Sequence, residues 1–185
     1  MYPTLDTAHW IREAKVEAVM STSVMLLVTF AGYFMARNIV VEWPLLYEVA
    51  IISSGIGLWA NLYILRALHK ISILVNDEKI IHNIRAWFAL DVLAMLIFIA
   101  MMHNPHPSVV ELTWIWIVKI VAAIFLKKSY TRIAARTGTE MFVDVGCLYY
   151  LSAQLAIHPA GFAMILIALL LQLVAFVHLP KLLPS

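Results

Sequence analysis

The sequence predicts an all-α integral membrane protein with about six transmembrane helices and short loops. Two observations support this class. Hydrophobic residues make up 63% of the 185 residues and charged residues only 13%, which is more apolar surface than one soluble core needs. In addition, apolar windows of the roughly 20 residues needed to cross a bilayer follow one another closely. We therefore expect a single transmembrane helical domain over residues 1–185.

Six apolar segments, taken in chain order, define the expected spans. They cover residues 16–36, 45–65, 86–103, 109–127, 140–157 and 160–179. Between the second and third spans, residues 67–85 alternate isoleucines with Lys70, Lys79 and Arg85. This segment is too polar to span and too apolar for a free linker, so we expect it to lie at the membrane interface, with a break near Asn76.

Local signals mark several helix ends. Pro44 fits the first turn of the second span, and Ser108 with Glu111 three residues later has the spacing of a capping box that opens the fourth span. Gly138 is placed to end the fourth helix. Thr137–Glu140 has the spacing of a second capping box, expected to open the fifth span.

The placement of basic residues predicts the orientation. With six spans, one side of the membrane receives most of the lysines and arginines, whereas Arg37 is the basic residue on the other. Because short loops rich in Lys and Arg remain cytoplasmic, both termini are expected in the cytoplasm, with the protein in the cell (inner) membrane. The basic residues expected on the cytoplasmic side are Arg12, Lys15, Arg66, Lys70, Lys79, Arg85, Lys127, Lys128, Arg132, Arg136 and Lys181.

Three charged residues interrupt the apolar spans. Asp91, Lys119 and Asp144 each lie where an ionisable side chain costs roughly 2.5 to 3.5 kcal/mol on insertion scales. At about 1.5 Å per residue, Asn61 and Gln172 fall at a similar depth. These five residues are expected to form a polar layer, which either lines a path for an ion, proton or solute or is a structural salt bridge that fixes the helix register.

Histidines cluster on the side opposite the basic loops. His103, His106 and His158, together with Glu48, have the chemistry to bind a transition metal or to sense pH. The spacing is not diagnostic, because Pro105 interrupts His103 and His106 and loop histidines beside prolines are common. Haem between the histidines near the span ends is also conceivable, but no two of them face each other deep in the membrane. No cofactor is therefore predicted.

The basic segment after the fourth span offers a contact surface. Lys127, Lys128, Arg132 and Arg136 lie within ten residues, and four cations near a cytoplasmic leaflet attract anionic lipid or a partner. No nucleic-acid partner is expected.

Function is constrained mainly by what is missing from the sequence. No serine-hydrolase elbow, zinc-protease motif or phosphate-binding loop is present, and the single Cys147 excludes an internal disulfide within the chain. Two hypotheses remain. The chain is a small, oligomeric channel or transporter that uses the polar layer, or a non-catalytic membrane subunit or assembly factor whose charged pair locks helices together.

Overall fold

Six α-helices make up the part of the chain that the computed structural model describes, residues 7–38, 43–101, 108–156 and 159–179, and no strand occurs in these ranges. The helices are α1 (Thr7–Asn38), α2 (Trp43–Leu74), α3 (Glu78–Met101), α4 (Val109–Thr137), α5 (Met141–Gln154) and α6 (Pro159–Val177). Five of them, all except α5, are long and apolar enough to cross a membrane. The predicted class, an all-α membrane protein, is confirmed.

The fifth helix is shorter than the predicted span 140–157. It has 14 residues, which at 1.5 Å per residue is about 21 Å, less than the roughly 30 Å of a bilayer core. Its close packing on α4 depends on Gly146, where a Cβ atom would lie 3.1 Å from the Cα atom of Lys127. Beside this contact the rings of Tyr130 and Phe142 stack with their centroids 5.7 Å apart.

The segment 67–85 is not a separate element on the membrane surface. It consists of the end of α2 and the start of α3, joined by a turn in which Asn76 has a φ of 50°. Leu68, Ile71 and Ile84 of this segment are fully buried. Three of its isoleucines, Ile71, Ile80 and Ile84, face the protein core, whereas Ile73 is 42% exposed. The segment is therefore continuous with α2 and α3 and not a separate interfacial helix, which corrects the expectation.

The helix-end signals were partly right. Ser108 and Glu111 form the predicted capping box, with both reciprocal hydrogen bonds present, and Gly138 ends α4 in the left-handed conformation with a φ of 69°. The capping box predicted at Thr137–Glu140 is wrong. Thr137 belongs to the last turn of α4, where its hydroxyl donates to the Ile133 carbonyl, and Glu140 makes no side-chain capping bond.

The helices form a closed ring. Each described helix packs mainly against the one before and the one after it in sequence, and α1 packs against α6 to complete the circle. A contact across this last interface is the bond that Lys15 Nζ donates to the Val177 carbonyl, 3.2 Å long.

The hydrophobic core fills one end of the ring, where α2 ends and α3 begins. We call this the basic end, because it also carries Arg12, Lys70, Arg85 and Lys127. The largest fully buried side chains lie there and come from five of the helices: Leu68, Ile71, Ile80, Ile84, Tyr130, Ile133, Phe142 and Phe176, with Ala14 and Ala18 from α1. Burial of these apolar groups closes the ring at that end.

Candidate functional site

A cavity lies inside the ring next to the core, and all six helices contribute to its wall. Its volume of about 430 Å³ falls in the range of small-molecule sites in proteins. The wall is mostly apolar, and its polar side chains are Asn61, Asp91, Lys119, Tyr130, Tyr149, Ser152 and Gln172. Four of the five residues of the predicted polar layer therefore meet in one cavity.

One wall of the cavity carries an ion pair. Lys119 Nζ on α4 lies 2.5 Å from Asp91 Oδ1 on α3, and Asn61 Nδ2 on α2 donates to the other carboxylate oxygen at 2.9 Å. The Lys119 side chain is 43% exposed and that of Asp91 is 21% exposed. Because both side chains line the cavity, a molecule inside it has access to the charged pair.

A second polar cluster surrounds Gln172 on α6. Its side-chain oxygen accepts hydrogen bonds from the hydroxyls of Tyr130, at 3.0 Å, and Tyr149, at 2.7 Å. Its amide nitrogen donates to the hydroxyl of Thr22 on α1, 2.8 Å away. The Thr22 hydroxyl in turn donates to the Ala18 carbonyl. This network connects α1, α4, α5 and α6 on the side of the cavity that adjoins the core.

The cavity extends away from the core towards the connection between α5 and α6. Ala156 and Gly161 line it at that level. The backbone is tightly packed there, since a Cβ atom at Gly161 would collide with the carbonyl oxygen of Leu155. A glycine is therefore required for α6 to begin where it does.

Asp144 is not part of the polar layer, contrary to expectation. Its side chain is exposed, and it forms no ion pair with any residue that the structure describes. It lies in the first turn of α5, where the partial positive charge of a helix N-terminus stabilises a carboxylate. Gly146, two residues further along α5, packs on Lys127, so Asp144 lies near the basic end of the ring and not at the level of Lys119.

The residues predicted to bind metal or sense pH are largely untested. His103, His106 and His158 lie outside the described residues, and Glu48 is exposed on α2. Within the described ranges, no group of three or more His, Cys, Asp or Glu side chains is arranged to hold a metal ion.

The basic residues of α4 divide into two pairs. Arg132 and Arg136 contact the Asp77 carboxylate, with closest distances of 3.2 and 3.4 Å. Lys127 and Lys128 instead lie over aromatic rings, those of Tyr150 and Phe125. Of the four basic residues predicted to form a contact surface, Arg132 and Arg136 are therefore paired with a carboxylate, and Lys127 and Lys128 are the two that a ligand can contact without breaking an ion pair.

Asp77, in the turn between α2 and α3, has a perturbed pKa. Burial raises the pKa of this carboxyl, but the hydrogen bonds from the Lys79 amide, Arg132 and Arg136, together with the charge of Arg132, lower the pKa by more than burial raises it. The net effect holds the pKa of Asp77 below its usual value, so the carboxylate is the form that the folded protein prefers.

Comparison with known proteins gives a partial match to one family model and to one relative, and neither has a described activity. Residues 106–170 match the family model described as "Protein of unknown function (DUF996)". The chain is 29% identical over 133 residues to an uncharacterized protein of Methanocaldococcus jannaschii, a match that covers 63% of this chain and 75% of that protein. No solved structure matches the chain. The family match includes α4 and α5, and with them Lys119, Tyr130 and Tyr149.

Proposed function

We propose that the chain is a small membrane channel or transporter for an ion, a proton or a small polar solute, with the central cavity as its binding site. The observation that carries the proposal is the position of the Asp91–Lys119 pair. A pair that only fixes helix register needs to be packed between helices, whereas this pair lines a cavity to which all six helices contribute.

The pair provides binding groups of both signs. An anionic solute would take over hydrogen bonds from Lys119 Nζ, and a cation or proton would compete for the Asp91 carboxylate. Either event separates the pair and leaves one partner charged in a low-dielectric site. Asn61, 2.9 Å from Asp91, would keep that carboxylate in position during the exchange.

The ring is also suited to one-sided access. The core closes it at the basic end, while the cavity extends towards the other end. In the proposed orientation the first three helices and the last three form two halves of opposite orientation, as in inverted-repeat transporters, although the sequence shows no convincing internal repeat. Passage through the protein would require the core at the basic end to separate.

Flux measurements on reconstituted vesicles test the proposal. We expect the parent protein to dissipate a pH gradient or an imposed salt or solute gradient, and Asp91→Asn and Lys119→Met each to reduce that flux at least tenfold. The control variants Glu78→Gln and Arg12→Met remove exposed charges at the basic end and should retain the flux. Absence of flux in the parent protein for protons, Na⁺, K⁺, Cl⁻ and small solutes would contradict the proposal.

A second candidate function is a non-catalytic membrane subunit or assembly factor. It is favoured by the cluster around Gln172, whose side chain bonds three partners on three other helices and thus acts as a structural connection. Copurification from native membranes separates the two functions. A stable partner of fixed stoichiometry would favour the subunit, and a homo-oligomer alone would favour the channel.

Either function depends on the orientation, which we propose from the distribution of basic residues. Reporter fusions after Arg37 and His106 should report the outside, and fusions after Lys79 and Arg132 the cytoplasm. A cytoplasmic signal after His106 would reverse the proposed orientation.

A further inference from the structure

A second depression lies on the outside of the ring at the basic end, away from the central cavity. It has a volume of about 990 Å³ and is bordered by residues of α3, α4 and α5. Five of its lining side chains are basic or can become so, and none of the described residues that line it is acidic: the five are Lys79, His82, Lys127, Lys128 and Arg132. We call it the basic groove.

Most of this charge is not neutralised within the protein. Arg132 is held by Asp77, but the side chains of Lys79, Lys127 and Lys128 form no ion pair with the residues that the structure describes. Lys79 and Lys128 are exposed. An anion entering the groove would therefore meet three ammonium groups from two helices, together with the hydroxyl of Thr131.

The groove lies at the depth of lipid headgroups. From Val109, where α4 begins, to Lys127 the helix rises about 27 Å at 1.5 Å per residue. The hydrocarbon core of a bilayer is about 30 Å thick. If Val109 lies near one boundary of that core, Lys127 and Lys128 lie near the other.

An apolar stripe leads from the groove into the membrane. Ile124 lines the groove itself, and Val121 and Ile117 follow at intervals of three and four residues, 37% and 41% exposed respectively. Residues at this spacing share one face of a helix. The face of α4 that carries Lys128 at its polar end is thus apolar over the next two turns.

We infer that the basic groove binds the headgroup phosphate of an anionic phospholipid of the surrounding membrane, with one acyl chain lying along Ile124, Val121 and Ile117. Charge complementarity selects an anionic headgroup, and the apolar stripe selects a lipid over a soluble phosphate. Lys79, Lys127 and Lys128 bind the phosphate, and Arg132 remains with Asp77.

Native mass spectrometry of the full-length protein in detergent, titrated with phosphatidylglycerol or phosphatidylcholine, tests the inference. We expect one phosphatidylglycerol per protomer to bind in clear preference to phosphatidylcholine. Each lysine near an anionic surface contributes about a fivefold effect, so Lys79→Gln with Lys128→Gln should weaken phosphatidylglycerol binding by about 25-fold. The control variant Arg12→Gln with Arg66→Gln removes the same number of exposed charges at the same end and should change it less than threefold.

Three results would overturn the inference. The first is equal binding of both lipids by the parent protein, and the second is an equal loss in the two double variants, which would indicate a diffuse electrostatic effect. The third is displacement of phosphatidylglycerol by glycerol 3-phosphate at a similar concentration, which would show that the groove binds a soluble phosphate.

A further substitution, Val121→Asn, should weaken phosphatidylglycerol binding, because it places an amide where the acyl chain lies.

Discussion

The substitution Lys119→Met tests the partnership at the centre of the cavity. It leaves Asp91 with the Asn61 amide as its described hydrogen-bond donor. Removing one member of a fully buried pair costs about 3 to 5 kcal/mol, and a hydrogen bond to a charged group contributes about 1.5 to 3 kcal/mol. Because Lys119 is 43% exposed, we expect a loss below the first range and in the lower part of the second, about 2 kcal/mol in the free energy of unfolding.

The double variants identify the partner. Lys119→Met with Asp91→Asn should recover about 1 kcal/mol of that loss, since no unpaired charge remains and an amide at position 91 can still contact Asn61. Lys119→Met with Asp144→Asn should show no recovery, because Asp144 is exposed and Lys119 is paired with Asp91. Unfolding of the purified proteins in mixed detergent micelles measures the free energy of unfolding of both double variants. Recovery with Asp144→Asn, or strict additivity with Asp91→Asn, would refute the pairing.

Three further predictions concern other parts of the fold. Gln172→Leu leaves the two phenols without their acceptor, while the Thr22 hydroxyl keeps its bond to the Ala18 carbonyl, and should lower the free energy of unfolding by about 2 to 4 kcal/mol. The exposed Gln154→Leu should change it by less than about 0.5 kcal/mol in the same micelle assay. Since the pKa of Asp77 is lowered by folding, its stabilising effect is present above the unfolded-state pKa and is lost as the pH falls below about 4. Asp77→Asn should accordingly reduce the difference between melting temperatures at pH 7 and pH 3.5, and an unchanged difference would exclude this role. Gly161→Ala should lower the melting temperature clearly, because backbone occupies the space of the new methyl group, while Gly57→Ala, with no atom within 4 Å of its Cβ position, should leave it unchanged or raise it. Equal effects of the two alanines would show that α6 shifts to accommodate the methyl group.

The position of a polar residue along its helix could be predicted from the sequence for α2, α3 and α4, but not for α5. Counting residues from the basic span ends placed Asp91, Lys119 and Asn61 at one level, and the structure brings all three into contact. The same counting included Asp144, because it took residue 140 as the membrane boundary. In the structure α4 continues past Lys127 to Thr137, and Gly146 of α5 packs on Lys127, so Asp144 lies nearer the basic end than the count assumed.

The cluster around Gln172 shows a second limit. Gln172 was assigned to the polar layer because it falls at a depth similar to that of Asp91 and Lys119. Tyr149 and Tyr130 were not assigned to it, since Tyr149 lies where an aromatic belt or helix packing is expected and Tyr130 lies beyond the predicted end of the fourth span. Phenols are common at both places, so no local signal distinguished these two. Thr22, in a Ser-Thr-Ser sequence, gave no signal either, since a threonine commonly satisfies its hydroxyl on its own helix, as this one does with Ala18.

The closed ring has a consequence for the order in which the protein is assembled. Five of the six helix interfaces join helices that are consecutive in the chain, so each is able to form as soon as the next helix enters the bilayer during synthesis. The interface between α1 and α6 is the exception and has to wait for the last helix. It is also the one bridged by the bond between Gln172 and Thr22. The amide of the final helix therefore meets its hydroxyl partner only when the ring is complete, and the cavity acquires its full wall at that same step.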